Sequence, residues 1–248
     1  MRYLVLSDIH SNIEALEAVL GAAAVPGWDR LLVLGDLVGY GADPNGVVER
    51  IRELEPAAIV RGNHDKVTAG VEDAEGFNRI ARQAAEWTLA ALTDESRAYL
   101  AALPAGPHVV DDLVEICHGT PGDEDEYVAS ELEALRALKE ASRPACLFGH
   151  THIPVAFRLT DIEFELVLRG SRGGESLEID SRFKYLLNPG SVGQPRDGDP
   201  RASYAVLDLS PAPVITWFRV RYPVEQAQAR VLAAGLPRSL ADRLALGR

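Results

Sequence analysis

The residues best able to do chemistry fall in five short clusters, each of which follows a predicted β-strand. The first cluster pairs an aspartate with a histidine two positions later, and the last pairs two histidines at the same spacing. Because residues i and i+2 of an extended segment point to the same side, each pair can direct two ligands into one cavity. The candidate metal ligands are Asp8, His10, Asp36, Asn63, His118, His150 and His152.

The conjunction of these clusters predicts a metal site. A lone D-x-H or H-x-H would carry little weight, since a single histidine at a strand end is more often a structural residue. Imidazole, carboxylate and amide oxygen donors suit Mn²⁺, Fe²⁺ or Zn²⁺ better than Ca²⁺ or Cu⁺. Seven ligands are too many for one such ion. They suit two ions that share a carboxylate at a separation of roughly 3.5–4 Å and lower the pKa of a shared water from about 16 toward 7.

A parallel sheet must position the first three clusters. Short apolar runs alternate with helical patterns as β-α-β-α-β, which predicts parallel strands with right-handed crossovers. In such sheets, sites form where the strands end. The three strands are predicted at residues 2–6, 31–34 and 57–60.

Helix-capping signals delimit the predicted helices. Ser11 with Glu14 predicts a capping box at the first helix, and Asp43 before a proline predicts the N-cap of the second. Ser130 with Glu133 predicts another capping box. Further helices are predicted from about residues 224 and 239.

The rest of the chain is helical and then mostly β. Residues 77–103 have a helical pattern with a break at 93–94, which indicates a helical insertion packed on the sheet. Without a repeat or a Gly/Ser linker, residues 1–248 are predicted to form one α/β domain, a four-layer α-β-β-α sandwich of two mixed sheets flanked by helices. The later strands are predicted as a hairpin over 108–117 and as runs at 145–148, 155–159, 164–168, 185–187, 203–209 and 214–220.

Composition excludes several classes of protein. The 248 residues include 37 acidic and 25 basic side chains, giving a formal charge of −12, which argues against broad docking on nucleic acid or anionic lipid. No apolar run approaches the 18 residues of a membrane span, and the apolar N-terminal stretch is too short for a signal peptide. A cytoplasmic protein is therefore expected, with Cys117 and Cys146 as buried free thiols.

The order of the clusters resembles the calcineurin-like metallophosphoesterase superfamily. Its pattern of D-x-H, G-D, G-N-H-[DE], H and G-H-x-H runs here from Asp8 to His152. The resemblance implies hydrolysis of phosphoester bonds by a hydroxide that bridges two metal ions, with His64 contacting the phosphoryl group or protonating the leaving oxygen. It implies one ion held by Asp8, His10 and His152 and another held by Asn63, His118 and His150, with Asp36 bridging them.

One departure from the superfamily pattern narrows the expected substrates. Protein Ser/Thr phosphatases and diadenosine tetraphosphate hydrolases carry G-D-x-x-D-R-G, where this chain has Gly39 and Tyr40 in place of the aspartate and arginine. The chain resembles instead the small prokaryotic phosphodiesterase branch, which shares the Gly-Tyr-Gly turn and the segment 188–193. Small phosphodiesters are therefore expected as substrates, with phosphomonoesters or nucleotides as the alternative. Mn²⁺ is the favoured metal, with Fe²⁺, Zn²⁺ and Ni²⁺ as alternatives.

Two other functions share this site. A non-catalytic metal-binding scaffold resembling the retromer subunit would typically lose a ligand or the catalytic histidine, and here all are present. A DNA-repair type of nuclease would share the ligands, but the acidic total and the lack of a separate basic domain speak against it. Both considerations favour an enzyme acting on small phosphoesters.

Several residues near the motifs have two interpretations. Asn63, Arg61 and Arg196 are candidate substrate contacts, although both arginines are equally well explained as structural. Residues 188–201 form either an anion nest or a tight structural turn. Asp65 either orients His64 or caps a helix, and the acidic run 123–126 is either a repelling cleft edge or a solvated loop. His108, outside every motif, is expected at the surface.

Overall fold

The chain folds into two β-sheets that pack face to face between layers of helices. The computed structural model describes residues 1–248. The strands are β1 Arg2–Leu6, β2 Arg30–Val33, β3 Ala58–Ile59, β4 His108–Val109, β5 Val114–Ile116, β6 Ala145–Leu147, β7 Val155–Leu159, β8 Phe164–Arg169, β9 Ser176–Glu178, β10 Lys184–Asn188, β11 Ala202–Asp208 and β12 Val214–Val220. The helices are α1 Ile13–Ala23, α2 Pro44–Glu53, α3 Asn63–Thr68, α4 Arg79–Ala91, α5 Asp94–Ala101, α6 Glu131–Glu140, α7 Val224–Ala233 and α8 Arg238–Leu244.

Both sheets have six strands and mixed pairing. The first sheet has the order β3-β2-β1-β11-β12-β9, with β1, β2 and β3 parallel and the other pairs antiparallel. The second sheet has the order β4-β5-β6-β10-β7-β8, in which β5, β6 and β10 are parallel. The predicted parallel unit over the first 60 residues is therefore confirmed.

Strand alternation explains the layers. In β1, Leu4 and Leu6 pack toward α1 and α2, whereas Tyr3 and Val5 pack between the two sheets. Successive side chains of a strand point to opposite faces, so a strand buried on both sides reads as a continuous apolar run. Helix α6 covers the outer face of the second sheet. The predicted four-layer sandwich of two mixed sheets is confirmed.

A buried tryptophan links the two sheets. Trp217 on β12, which is 1% exposed, donates a hydrogen bond of 2.8 Å from its indole Nε1 to the carbonyl oxygen of Asn188 at the end of β10. The bond satisfies the indole donor in the apolar interior. It also fixes the first residue of the 188–201 segment relative to the first sheet.

The capping predictions are confirmed at two helices and wrong at the first. Asp43 accepts from the amide of Gly46, and Ser130 with Glu133 forms the predicted capping box. Helix α1 is capped by Asn12 rather than Ser11, whose amide donates instead to the carbonyl of Leu37. Ser11 has a φ of 53° and belongs to the loop that carries the first cluster.

Two short elements lay outside the predictions. Helix α3 begins within the third cluster, where a turn was expected, and β9 is a three-residue edge strand. Neither is long enough to show a hydrophobic period. The thiols of Cys117 and Cys146 are free and buried as predicted, with their sulfurs 3.7 Å apart. None of the eight helices combines the length and apolarity needed to cross a membrane.

Candidate metal centre

The carboxyl ends of five strands, three in the first sheet and two in the second, converge on one buried cluster. Asp8 and His10 follow β1, Asp36 follows β2, and Asn63 opens α3 directly after β3. In the second sheet one candidate ligand follows β5 and two follow β6, so both sheets contribute from their carboxyl ends. The structure thus brings together all seven predicted ligands, Asp8, His10, Asp36, Asn63, His118, His150 and His152, with His64 beside them.

Four of these residues form a first donor group. Asp8, His10, Asp36 and His152 each place one ligand atom within 4.8 Å of the others. Nε2 of His10 lies 3.5 Å from Oδ2 of Asp36, and Nε2 of His152 lies 3.4 Å from Oδ1 of Asp8. All four are at most 1% exposed. This arrangement of imidazoles and carboxylates could hold one divalent ion.

A second donor group shares a member with the first. Asp36, His118 and His150 also place ligand atoms within 4.8 Å of one another. Oδ2 of Asp36 is 3.4 Å from Nε2 of His118, which is 3.1 Å from Nδ1 of His150 and 3.3 Å from Oδ1 of Asn63. Because Asp36 belongs to both groups, its carboxylate lies where a bridging ligand would be needed.

The protonation pattern of the histidines tests whether metal ions fit. Each imidazole points one ring nitrogen at the cluster and the other at a backbone carbonyl, an arrangement typical of metal ligands. A ring proton on the carbonyl side leaves a lone pair on the inner side. Nε2 of His10 and Nε2 of His152 then face each other across 3.1 Å, and buried Oδ2 of Asp8 has no hydrogen-bond partner. Facing lone pairs of this kind repel one another unless a cation lies between them, so the residues present fit bound metal ions. The carbonyl contacts are His10 Nδ1 to Val38, His118 Nδ1 to Leu34, His152 Nδ1 to Gln194 and His150 Nε2 to Asp125.

Burial keeps most of these imidazoles in the form that binds metal. It lowers the pKa of His10 and His152 well below the usual value, and it lowers the pKa of His150 to about 3. For His118 burial acts in the same direction, but the adjacent Asp36 carboxylate outweighs it and raises the pKa to about 10. A divalent ion would displace that proton, since ligands bind metal deprotonated.

The cluster is built from strained backbone. Eight non-glycine residues have positive φ, and five of them are candidate ligands. Such left-handed conformations cost about 1–3 kcal/mol each and persist where the surrounding structure over-determines them, often at functional sites. The strain therefore marks these turns as shaped by the site rather than by local preference. The five ligands are Asp8, His10, Asp36, His150 and His152, with φ between 49° and 65°.

A family comparison agrees with this geometry. The model of the calcineurin-like phosphoesterase superfamily domain matches residues 1–211 of the chain. The chain belongs to the calcineurin-like phosphoesterase superfamily.

Two relatives and two solved structures show how far the likeness extends. The uncharacterized protein MJ0912 of Methanocaldococcus jannaschii is 36% identical over 250 residues, 98% of this chain and 97% of that protein. The phosphodiesterase YfcE of Escherichia coli is 28% identical over 217 residues, 84% of this chain and 88% of YfcE. A crystal structure of a metallophosphoesterase from Sphaerobacter thermophilus superposes with a TM-score of 0.87 at 40% identity and full coverage of both chains. The protein PH1004 of Pyrococcus horikoshii shares the fold, with a TM-score of 0.78 at 19% identity, over 100% of this chain and 98% of its own.

In this phosphoesterase His64 stands beside the donor groups without joining them. Its ring lies 5.0 Å from that of His10 and packs against Tyr40 and Phe77, at centroid distances of 4.3 and 4.6 Å. Burial lowers its pKa to about 4, and its Nδ1 is buried without a hydrogen-bond partner. The backbone amide of His64 donates to Oδ1 of Asp36 at 2.9 Å. His64 is thus held at the cluster by its backbone and by aromatic packing.

Asp65 does not orient His64. Its Oδ1 accepts from the amide of Val38 at 3.2 Å and its Oδ2 from the amide of Gly62 at 3.0 Å. Asp65 therefore caps α3 and ties it to the loop after β2, so the alternative reading of this residue as a helix cap is correct.

The two candidate arginines have different surroundings. Arg196 places its guanidinium 5.7 Å from the ring centroid of Tyr40, and its buried Nε has no hydrogen-bond partner. Arg61 instead forms a two-bond ion pair with Glu124, through Nε at 3.0 Å and Nη2 at 2.8 Å. Arg196, whose Nη2 donates to Gln194 at 3.0 Å, therefore keeps one unpaired buried donor, whereas two donors of Arg61 are paired with Glu124.

The segment 188–201 is a structural turn rather than an anion nest. The amides of Val192 and Gly193 donate to the carbonyls of Ser7 and Asp8, each at 3.0 Å. The amide of Gln194 donates to a serine hydroxyl within the same turn. Because these donors bind within the protein, the segment holds the loop that carries Asp8, and of the two interpretations the structural turn is the one the hydrogen bonds support.

Sequence reasoning missed the aromatic shell of the site. Tyr127 lies against His150 with ring centroids 3.6 Å apart, while Tyr40 and Phe77 flank His64. A cavity of about 240 Å³ opens between these three aromatic rings. Only Tyr40, inside the Gly-Tyr-Gly turn, carried a sequence signal. His108 is exposed in the short β4, as expected.

Proposed function

We propose that this phosphoesterase hydrolyses small phosphodiesters at a centre of two divalent metal ions. The observation that carries the proposal is the Asp36 carboxylate, which belongs to both donor groups. A single carboxylate between two sets of imidazoles is what a two-ion site requires. The name of the Escherichia coli relative, a phosphodiesterase, supports diesters as the substrate class.

The two donor groups support one assignment of the ligands. Asp8, His10 and His152 would hold one ion, Asn63, His118 and His150 the other, and Asp36 both. Mixed imidazole and oxygen ligands suit Mn²⁺, with Fe²⁺, Zn²⁺ and Ni²⁺ as alternatives. When bound, such ions supply hydroxide at neutral pH and neutralise the charge that develops on the phosphoryl oxygens.

Three side chains of the chain act on the substrate. His64 contacts the phosphoryl group or protonates the leaving oxygen as the ester bond breaks, and the second role requires that the bound anionic phosphate raise the pKa of His64 from about 4. Arg196, whose Nε lacks a partner, pairs with a non-bridging phosphate oxygen. Asn63, which lines the 240 Å³ cavity, contributes its amide to the same group. Tyr40 and Phe77 pack against the imidazole of His64 and hold it in place.

A panel of chromogenic esters tests the proposal. Protein loaded with Mn²⁺, Fe²⁺, Zn²⁺ or Ni²⁺ is assayed against matched mono- and diesters of 4-nitrophenol. We expect diesters to be cleaved faster than monoesters with Mn²⁺. A monoester preference would assign the site to a phosphomonoesterase instead, and no hydrolysis of any phosphoester by fully metallated protein would support a non-catalytic scaffold.

A further inference from the structure

A buried lysine holds the acidic run 123–126 in place, although Asp123 and Asp125 are exposed. Nζ of Lys66 lies 2.5 Å from a carboxylate oxygen of Asp125, 3.3 Å from Glu124 and 2.8 Å from Glu72. The side chain of Lys66 is only 3% exposed. Arg61 adds its ion pair to Glu124 beside it.

The loop of residues 123–126 contacts a candidate metal ligand through its backbone. Nε2 of His150 lies 3.1 Å from the carbonyl oxygen of Asp125, the residue whose side chain Lys66 grips. That contact fixes the ring proton on Nε2 and turns Nδ1 toward His118. Tyr127, two residues further along the loop, packs against the same imidazole with ring centroids 3.6 Å apart.

Lys66 also lies on the helix that supplies another ligand of the same donor group. Asn63 opens α3, and Lys66 follows it by three residues, about one helical turn later. The Lys66–Asp125 ion pair therefore closes a ring of contacts that runs from Asn63 through α3 to the loop and on to His150. The ammonium group of Lys66 pairs with Glu72, Glu124 and Asp125 and with no member of the first donor group.

We infer that Lys66 is a positioning residue for the second metal ion, since it fixes the separation of Asn63 and His150. This inference rests on the two-ion centre proposed above. The ion held by Asp8, His10 and His152 does not depend on the loop. Loss of the Lys66–Asp125 ion pair should therefore weaken the binding of the second ion and leave the binding of the first unchanged. An ion pair that only stabilises the fold would not have this selective effect.

Titration of metal-free protein with Mn²⁺ alone tests the inference. In Lys66→Met, calorimetry should show the second ion binding about ten- to a hundredfold more weakly, the range found when an outer partner of a metal ligand is removed, with the first ion unchanged. Lys66→Arg should recover part of the affinity, because a guanidinium keeps the charge but not the compact geometry. Lys139→Met, at an exposed position in α6, is the matched control and should bind both ions as the wild type does.

A second variant covers the case in which Lys66→Met does not fold. Asp125→Asn removes the shortest ion pair from a side chain that is 45% exposed and leaves the Asp125 carbonyl in place. It should show the same selective loss. In the double variant the two losses should be less than additive, because both substitutions break one interaction.

Three results would overturn the inference. If both single variants bind both ions with wild-type affinity, Lys66 has no positioning role. If the affinity for both ions falls equally, Lys66 only stabilises the fold. A wild-type protein that takes up only one ion would overturn it together with the two-ion centre. Failure of the proposed hydrolysis with both ions bound is a separate result, because the titration requires no turnover.

Discussion

Gly39 lies so close to His64 that a side chain at position 39 would displace the imidazole. An ideal Cβ at Gly39 would lie 2.5 Å from Nδ1 of His64, and the φ of Gly39 is +89°, a value that side chains disfavour. In the G-D-x-x-D-R-G pattern of related phosphatases this position is an aspartate. Here the glycine lets His64 pack directly against the turn after β2, which leaves Nδ1 without a partner.

Gly39→Ala should therefore lower activity more than it lowers metal binding. The new methyl group must push His64 away and strain the backbone, at a cost of about 1–3 kcal/mol. We expect kcat to fall at least tenfold while metal content, measured by atomic emission, stays at two ions. Gly21→Ala, where a Cβ meets nothing within 4 Å, is the control and should retain full activity. Full activity in Gly39→Ala would show that the position of His64 is not critical.

His64→Ala separates catalysis from metal binding. His64 is outside both donor groups, so the variant should keep both ions. Loss of a group that transfers a proton in the transition state typically costs about 10²–10⁴-fold in rate. The measurements are metal content and kcat on a chromogenic diester. Loss of metal from this variant would contradict the assigned role.

The ligands could be predicted from the sequence because their positions depend on local structure. Parallel strands must end at one edge, so Asp8, Asp36 and Asn63 meet whatever the details of packing. The same argument places His118 and His150 at the edge of the second sheet. To predict the positions of such residues, only the strands must be assigned, and buried apolar runs in the sequence indicate these strands.

The surroundings of the ligands could not be predicted, because they depend on contacts between distant segments. Lys66 meets Asp125 across 59 positions, and Arg61 meets Glu124 across 63. An acidic run and a lysine have no local feature that indicates such a pairing. For Asp65 the sequence left two roles open, and only the positions of the Val38 and Gly62 amides decided between them.

Asp36→Asn should remove the link between the two donor groups. Oδ2 of Asp36 lies 3.5 Å from Nε2 of His10 and 3.4 Å from Nε2 of His118, so the amide nitrogen or the weaker amide oxygen would replace the shared carboxylate oxygen. We expect metal content to fall below two ions and activity to be lost. Asp65→Asn is the matched control, since it changes a second fully buried carboxylate that contacts only backbone amides. It should lower stability by about 1–3 kcal/mol yet keep both ions. Two tightly bound ions in Asp36→Asn would refute the bridging role.

Removal of metal should destabilise the fold as well as abolish activity. Two buried carboxylates and four buried imidazoles converge on the cluster, and their lone pairs repel one another unless cations or protons separate them. A ligand at 100 times its Kd adds about 2.7 kcal/mol of stability, which corresponds to a rise in Tm of about 5–10 °C for a chain of this size. Treatment with a chelator, followed by calorimetry, should lower Tm by that amount, and added Mn²⁺ should restore it. His64→Ala should show the same shift, because its donor groups are intact. An unchanged Tm after verified removal of the ions would mean that the cluster is stable without cations.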